Sequence, residues 1–255
     1  VTTGNIIGWS WAGGTPAESG SVPATGGVAP SAPRAVPTPS SPSASERYQT
    51  LRMLGRGGMG EVLLCKDLTI GREVATKRIL PGRASDAAER SQFIREAQIQ
   101  GQLEHPSIVP VYDLTVSSDG AVFFTMKRLR GRTLEDILKG LQAGRSEDVA
   151  AFPRHRLLSA LASVCLAVEF AHSRGVLHRD LKPANIMLGD FGEVYVLDWG
   201  IAKVRHGDDG NGVRVQQPAE AQATQTGQIV GTLAYISPEQ AAGVPGAIDR
   251  RSDVF

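Results

Sequence analysis

The chain has 255 residues, of which 41% are hydrophobic and 21% are charged, and its formal net charge is +1 at pH 7. These values are typical of an ordinary soluble globular protein with one or two domains. A near-neutral charge without a block of Lys and Arg argues against a nucleic-acid partner. No cationic stretch followed by an apolar core opens the sequence, so we expect no signal peptide.

Residues 1–45 are predicted to be a disordered linker. From Gly13 to Ser45 the chain consists almost entirely of Gly, Pro, Ala, Ser and Thr, a composition that cannot bury enough apolar surface to offset the entropy of the chain. Trp9 and Trp11 precede this stretch. They belong either to an unstructured end, which we favour, or to a short strand or binding motif.

Globular patterning begins near Tyr48 with short β-rich runs that glycines interrupt. The pattern predicts antiparallel strands over 49–54, 61–67, 73–79, 108–115 and 121–129. Between the third and fourth strands we expect a helix over 86–103, opened by a capping box of Asp86 and Glu89. Residues 46–129 should therefore form a small β-rich lobe with one helix.

After Gly131 the apolar residues recur at helical spacing, which predicts a mainly helical second lobe over residues 130–255. The stretch Leu157–His172 is apolar, but it is shorter than the ~20 residues that a membrane span needs. We expect a buried core helix there and no membrane segment. Cys65 and Cys165 both lie in apolar runs, which fits buried thiols in a reducing, cytoplasmic compartment.

A glycine-rich motif, G-x-G-x-x-G-x-V, is formed by Gly55, Gly57, Gly60 and Val62. Glycines at these positions let a strand-turn-strand approach phosphate oxygens without Cβ collisions. A dinucleotide-binding fold shares the first six positions, but it needs a helix directly afterwards and an acidic residue about 20 positions on. A strand follows here, and that position falls near Leu80. A glycine-rich hairpin without a ligand stays equally open from this motif alone.

Lys77 ends an apolar strand, where a buried ammonium group is costly unless anions meet it. Glu96, on the following predicted helix, is the candidate partner. A solvated Lys77 with an unrelated Glu96 is the alternative, and without further motifs we favour that alternative.

The most specific motif is the stretch His178–Asn185 followed by Asp198–Gly200. Together they resemble the catalytic loop and metal-binding turn of a Ser/Thr protein kinase. The resemblance covers residues 48–255, and the wording of its motifs is similar to that of bacterial eukaryotic-like Ser/Thr kinases. It implies an α+β, two-lobed protein kinase-like fold that uses ATP and Mg²⁺ and acts on protein substrates.

The resemblance also assigns roles to site residues. It implies that Asp180 accepts the proton of the substrate hydroxyl, that Lys182 neutralises charge on the γ-phosphate, and that Lys77, held by Glu96, contacts the α- and β-phosphates. Asn185 and Asp198 would hold Mg²⁺. The expected adenine pocket consists of Leu54, Val62, Ala75, Met126, Leu129 and Met187.

Two departures from the kinase pattern stand out. Trp199 replaces the usual Phe of the metal-binding turn, and it should keep a large apolar wedge there. Lys127 and Arg128 replace an acidic and an aromatic residue. Because adenine is read at that position mainly by backbone groups, nucleotide binding should survive.

Regulation is also implied by the resemblance. Residues 231–239 look like the peptide-docking end of an activation segment, with Thr232 facing the catalytic Asp. Arg179 would pair with a phosphothreonine, and Thr224 and Thr226 are the candidates for autophosphorylation, with self-association of two copies. We expect 205–222 to be disordered without phosphate; a surface loop whose threonines are never modified is the alternative.

Protein Ser/Thr phosphorylation is therefore the first functional hypothesis. A non-catalytic, kinase-like scaffold and a small-molecule phosphotransferase are the alternatives, and the docking motif disfavours the latter. The resemblance assigns Asp253 to holding the catalytic-loop backbone, and it implies an incomplete C-terminal lobe. We therefore expect an exposed apolar face and an unstable or inactive chain.

Overall fold

The computed structural model describes residues 47–57, 60–80, 82–83, 85–117, 120–204, 212–215, 233–243 and 246–255. The predicted linker 1–45 and the tip of the predicted turn at Ser118 and Asp119 lie outside these ranges. The division into lobes at residue 129 stays a prediction.

The first half of the described chain is a five-stranded antiparallel sheet of order β1-β2-β3-β5-β4. Its strands are β1 (Tyr48–Arg56), β2 (Gly60–Asp67), β3 (Arg72–Ile79), β4 (Val111–Val116) and β5 (Val122–Lys127). All five predicted strands are confirmed, with shifted ends. The fourth begins three residues late, since Pro110 cannot donate a ladder hydrogen bond, and Ile108 instead forms an isolated parallel bridge with Val196.

Helix α1 (Ala87–Gln102) lies between β3 and β4, as predicted. Asp86 caps it, since its carboxylate accepts hydrogen bonds from the amides of Ala88 and Glu89. The predicted capping box is half wrong: the amide of Asp86 donates to the carbonyl of Arg83, and the Glu89 carboxylate accepts from the Arg83 guanidinium at 2.9 Å. Arg83 therefore bonds both the Asp86 amide and the Glu89 carboxylate, which in a capping box would bond each other.

Helix α1 contributes to two separate hydrophobic cores. Phe93 and Ala97 pack with β3 and β5 in the core of the sheet. Ile99 and Leu103 pack in the larger core of the helical half. Each pair is four residues apart, so each occupies one side of the helix. The helix therefore connects the two halves of the fold mechanically.

The second half is mainly helical, as predicted. Its helices are α2 (Leu134–Gln142), α3 (Ser146–Ala151), α4 (Arg154–Ser173) and α5 (Pro238–Ala242). Its short strands are β6 (Gly131–Thr133), β7 (Val176–Leu177), β8 (Ile186–Gly189), β9 (Val194–Val196) and β10 (Lys203–Val204). The strands form a β6-β8-β9 sheet and a β7-β10 pair. Glycine is required at Gly131, where β6 pairs with β8, because its φ is +137° and a Cβ there would lie 2.1 Å from the Leu188 carbonyl oxygen.

Helix α4 is a core helix on one face only. Ala160, Val164, Ala167, Val168 and Ala171 are buried in the larger core. Its other face exposes Leu158, Leu161 and Leu166, so the prediction of a buried helix holds for one face only. Cys165 lies on that face too, so the prediction of a buried thiol is wrong for Cys165 and confirmed for Cys65. Sequence periodicity marks an apolar helix, but it does not state which faces are covered.

Among the described residues, helix α4 is long and apolar enough to cross a membrane, and about a third of its 18-residue apolar stretch is buried. One such helix is weak evidence, because core helices of soluble proteins pass the same test.

Candidate active site

The predicted catalytic loop runs from the end of β7 to the start of β8, and a buried carboxylate holds its backbone. Asp253 accepts hydrogen bonds from the amides of His178 and Arg179, at 2.8 and 2.6 Å, and it contacts His172 Nε2 at 2.7 Å. Arg179 has a φ of +70°, a conformation that a non-glycine residue adopts only where its surroundings enforce it. The role predicted for Asp253 is confirmed by this geometry.

Within this loop, the side chains of Asp180, Lys182 and Asn185 lie in direct contact. Lys182 Nζ donates to Asp180 Oδ2 at 2.7 Å, and Asn185 Nδ2 donates to the same oxygen at 3.1 Å and to the Asp180 carbonyl at 2.9 Å. A single 3₁₀ turn over Pro183–Asn185 brings the amide back to the carboxylate. The Asp180 side chain is therefore fixed in orientation before any substrate arrives.

Asp198 comes two residues after the end of β9, and the residue before it is bonded to Asn185. The amide of Leu197 donates to the Asn185 carbonyl at 2.8 Å, which joins the two segments. Asp198 has a φ of +60°, and its Oδ1 accepts from the amide of Gly200 at 3.3 Å. This turn presents the carboxylate rather than burying it in the strand.

Trp199, between the two ends of the turn, is buried in the larger core; its role as a wedge beneath the helix after β3 stays a prediction. It is 1% exposed, and its ring lies 4.7 Å from the ring of His178. Its indole nitrogen finds no hydrogen-bond partner among the described residues. The ring of His178 in turn contacts the Leu197 carbonyl at 3.0 Å, so catalytic loop and turn are packed as one unit.

Lys77 and Glu96 form an ion pair between β3 and α1. Glu96 is 4% exposed. Burial raises the pKa of Glu96, the Lys77 ammonium opposes that shift, and the carboxylate of Asp198 adds to it. A Cβ on Gly200 would lie 3.1 Å from Asp198 Oδ1 and 3.3 Å from Glu96 Oε2. The structure therefore brings Lys77, Glu96 and Asp198 to one place.

The glycines of the G-x-G-x-x-G motif have different reasons to be glycine. At Gly60 a Cβ would lie 2.6 Å from the Arg78 carbonyl oxygen, so packing of β2 on β3 excludes a side chain. Among the residues that the structure describes, a Cβ at Gly55 would meet nothing within 4 Å, and one at Gly57 would meet the Gly60 carbonyl at 3.9 Å. Protein packing does not explain Gly55 and Gly57, which fits space for a ligand.

The apolar residues predicted to surround adenine are only partly accounted for. Ala75 is paired across the ladder with Met126, and Val62 is paired with Lys77. Paired residues of adjacent strands lie on the same face of a sheet, and so do residues two apart on one strand. Val62, Ala75 and Met126 therefore lie on the face that carries Lys77. Leu54 comes from β1, Leu129 follows β5, and Met187 is half-buried on β8. That these three residues converge with Val62, Ala75 and Met126 in one adenine pocket stays a prediction.

The oxygen donors of the site fit a magnesium ion. Asn185 turns its nitrogen end towards Asp180, so its carboxamide oxygen and the Asp198 carboxylate are the two candidate ligands. No cluster of three His, Cys, Asp or Glu side chains occurs in the described ranges. Mg²⁺ characteristically takes one or two protein carboxylates and completes its shell with water and phosphate oxygens.

Two interactions at this site were not predicted from the sequence. Lys127 contacts the Tyr195 hydroxyl and lies 4.9 Å from the centre of its ring, so the departure at Lys127 ties β5 to β9. Burial lowers the pKa of the Arg179 guanidinium, Asp253 opposes that shift, and the positive charge of Arg95 on α1 adds to it. Neither interaction carries a sequence motif. Thr224, Thr226 and Thr232 lie outside the described residues.

Comparison with known proteins gives one family. The model of the protein kinase domain matches residues 48–255. The chain is similar to serine/threonine-protein kinase PknD of Chlamydia trachomatis serovar D, with 38% identity over 231 residues and 82% of this chain covered. It is also similar to the proteins of the same name from Protochlamydia amoebophila, at 36% identity and 84% coverage, and from Chlamydia caviae, at 40% and 79%. The chain spans 22–23% of the length of these relatives.

Proposed function

This chain belongs to the protein kinase family, and on that basis we propose that its protein transfers the γ-phosphate of ATP to serine and threonine hydroxyl groups of other proteins. One observation carries the proposal: Lys77, Glu96 and Asp198 meet at one place. Asn185 joins Asp180 to them, because its side chain donates to Asp180 and its backbone carbonyl accepts from the amide of Leu197, the residue before Asp198. Phosphoryl transfer depends mainly on positioning and charge, so this grouping is the machinery it needs.

Each residue has a defined task in this proposal. Asp180, oriented by Lys182 and Asn185, accepts the proton of the attacking hydroxyl. Lys182 then faces negative charge on the transferred group, and Lys77 holds the inner phosphates while Glu96 fixes its position. Asn185 and Asp198 hold Mg²⁺, which supplies positive charge against the phosphate oxygens when bound. We place this activity in the cytoplasm, with protein substrates as partners.

We also propose that the protein phosphorylates itself at Thr224 or Thr226 and that Arg179 and Arg95 receive the phosphate. Burial lowers the pKa of each guanidinium; for Arg179, Asp253 opposes that shift and the charge of Arg95 adds to it. The Nε atoms of both are buried without a hydrogen-bond partner among the described residues. Two adjacent, poorly solvated cations are costly unless an anion joins them.

Mass spectrometry of the active protein tests this modification. We expect phosphate on Thr224 or Thr226, and loss of its stimulating effect in an Arg95→Ala variant. Arg90, on the same helix, supplies the control substitution Arg90→Ala. Active protein with neither threonine modified would refute the proposal.

The transfer itself is tested with the full-length protein, radiolabelled ATP and a mixture of basic and acidic test proteins. We expect label on serine and threonine only, dependent on Mg²⁺, and at least a 100-fold loss in Asp198→Asn. Nucleotide binding with no transfer under any condition would favour a non-catalytic scaffold. Label on small alcohols but not on proteins would favour a small-molecule phosphotransferase.

A further inference from the structure

Two glutamine side chains of α1 hold parts of the chain that follow β9. In the second turn of α1, Gln92 Nε2 donates at 3.0 Å to the carbonyl of Gly200, the last residue of the metal-binding turn. At the end of α1, Gln102 Nε2 donates to the Arg214 carbonyl at 2.7 Å, and the Arg214 amide donates back to Gln102 Oε1 at 3.0 Å. The two glutamines are ten residues apart, which is about 15 Å along a helix. The end of α1 is thus tied to the segment 212–215, and its second turn is tied to the metal-binding turn.

Val213 anchors this segment in the larger core. Its side chain is 8% exposed and belongs to the same core as Ile99 and Leu103 of α1, and its amide donates to the Arg174 carbonyl at 3.2 Å. The expectation of disorder is therefore wrong for residues 212–215; the rest of 205–222 lies outside the described residues. Val213 and Val215, which also packs against this core, are only two apolar residues in a polar stretch, too few for a periodic signal.

The valine and the glutamine do different work. The hydrogen bonds of Gln102 are exposed, so water competes with them and their net strength is small. Burial of Val213 supplies most of the attraction. The Gln102 carboxamide both donates to and accepts from the backbone of residue 214, so it fixes which residue of the segment lies against the end of α1. This contact does not depend on the side chain or the charge of residue 214.

Glu96 lies on α1 between the two glutamines and pairs with Lys77. An α-helix is stiff over three turns, so a displacement of its last turn is transmitted to Glu96. The contact at residue 214 and the Lys77–Glu96 pair exist together in this structure. Docking of 212–215 is therefore compatible with the paired state of the site.

We propose that Gln102 and Val213 are positioning residues: they hold residues 212–215 against the end of α1 and thereby stabilise the helix position in which Glu96 meets Lys77. The effect on catalysis rests on the proposed phosphate transfer; the docking itself does not. The contact joins the segment after Asp198 to the helix that sets Lys77.

Residue-resolved hydrogen exchange tests the docking without any assay of activity. In the wild type we expect the Val213 and Arg214 amides to be protected from exchange. Both should exchange about tenfold faster in Val213→Ala, because the buried side chain loses the equivalent of two methylene groups. In Gln102→Ala they should exchange about threefold faster, because only exposed hydrogen bonds are lost. Arg214→Ala is the matched control, since only its backbone takes part, and it should keep wild-type protection. Unprotected amides in the wild type, or equal exchange in Gln102→Ala and Arg214→Ala, would overturn the docking.

A double-mutant cycle tests the link to Glu96 in the full-length protein. Val213→Ala should raise the KM for ATP about fivefold well below its melting temperature, and the same change in a Glu96→Gln background should add less than twofold. Additive effects in the two backgrounds would show that Val213 acts only on stability, and would sink the positioning role. A protein that transfers no phosphate would refute the proposed function, while the exchange result would still decide the docking.

Discussion

Replacing Asp180 by asparagine will lower the rate of phosphate transfer about 1,000-fold without unfolding the protein. The asparagine keeps the size of the side chain and an oxygen that can accept from Lys182 and Asn185, so the contacts at 2.7 and 3.1 Å survive. It cannot accept a proton from the substrate hydroxyl. Single-turnover transfer from ATP, with a thermal melt of the same sample, measures both quantities.

Asp190→Asn is the matched control for this experiment. Asp190 lies exposed in the turn between β8 and β9, so the same chemical change there should leave the transfer rate within twofold. Nucleotide affinity should stay near the wild-type value in both variants, because the resemblance assigns Asp180 no contact with the bound nucleotide. A transfer rate in Asp180→Asn within tenfold of the wild type would contradict the role of Asp180 as proton acceptor.

Asp253→Ala should destabilise the protein by about 3–5 kcal/mol and abolish transfer as well. The carboxylate is fully buried, and its removal leaves the amides of His178 and Arg179 and the ring of His172 without their acceptor. Arg179 would also lose the contact that enforces its φ of +70°. Urea unfolding at pH 7 measures the free energy of unfolding.

The pH dependence of stability gives this prediction a second, independent check. Burial alone would raise the pKa of Asp253, but hydrogen bonds from His172 and from the amides of Arg179 and His178 together hold it below its ordinary value of 3.8. A group with a lowered folded pKa stabilises the fold above its unfolded pKa, and that contribution is lost as pH falls through the folded pKa. The wild type should therefore lose stability below about pH 3.8 through this residue.

Asp253→Asn is the informative companion, since it keeps the shape and one acceptor but cannot titrate. We expect a smaller loss at pH 7, about 1–3 kcal/mol, and a shallower dependence of unfolding free energy on pH below 3.8. An asparagine variant with the same acid dependence as the wild type would show that other groups carry the effect.

Local features of this protein were readable from the sequence. Asp180, Lys182 and Asn185 lie within six residues, so one 3₁₀ turn is enough to bring them into contact. The strands of the first sheet were predicted from β-rich runs that glycines interrupt. The cap at Asp86 depends only on the next three residues. Such features need no knowledge of what packs against them.

Only the tertiary structure decided the rest, because those features depend on which surfaces meet. Glycine at Gly60 is explained by the neighbouring strand, and the exposure of Cys165 by the face of α4 that nothing described covers. The contact of Gln102 with Arg214 joins residues 112 positions apart. Chain distance carries no information about such pairs; they form because α1 contributes to both cores and its position is set by the packing of each.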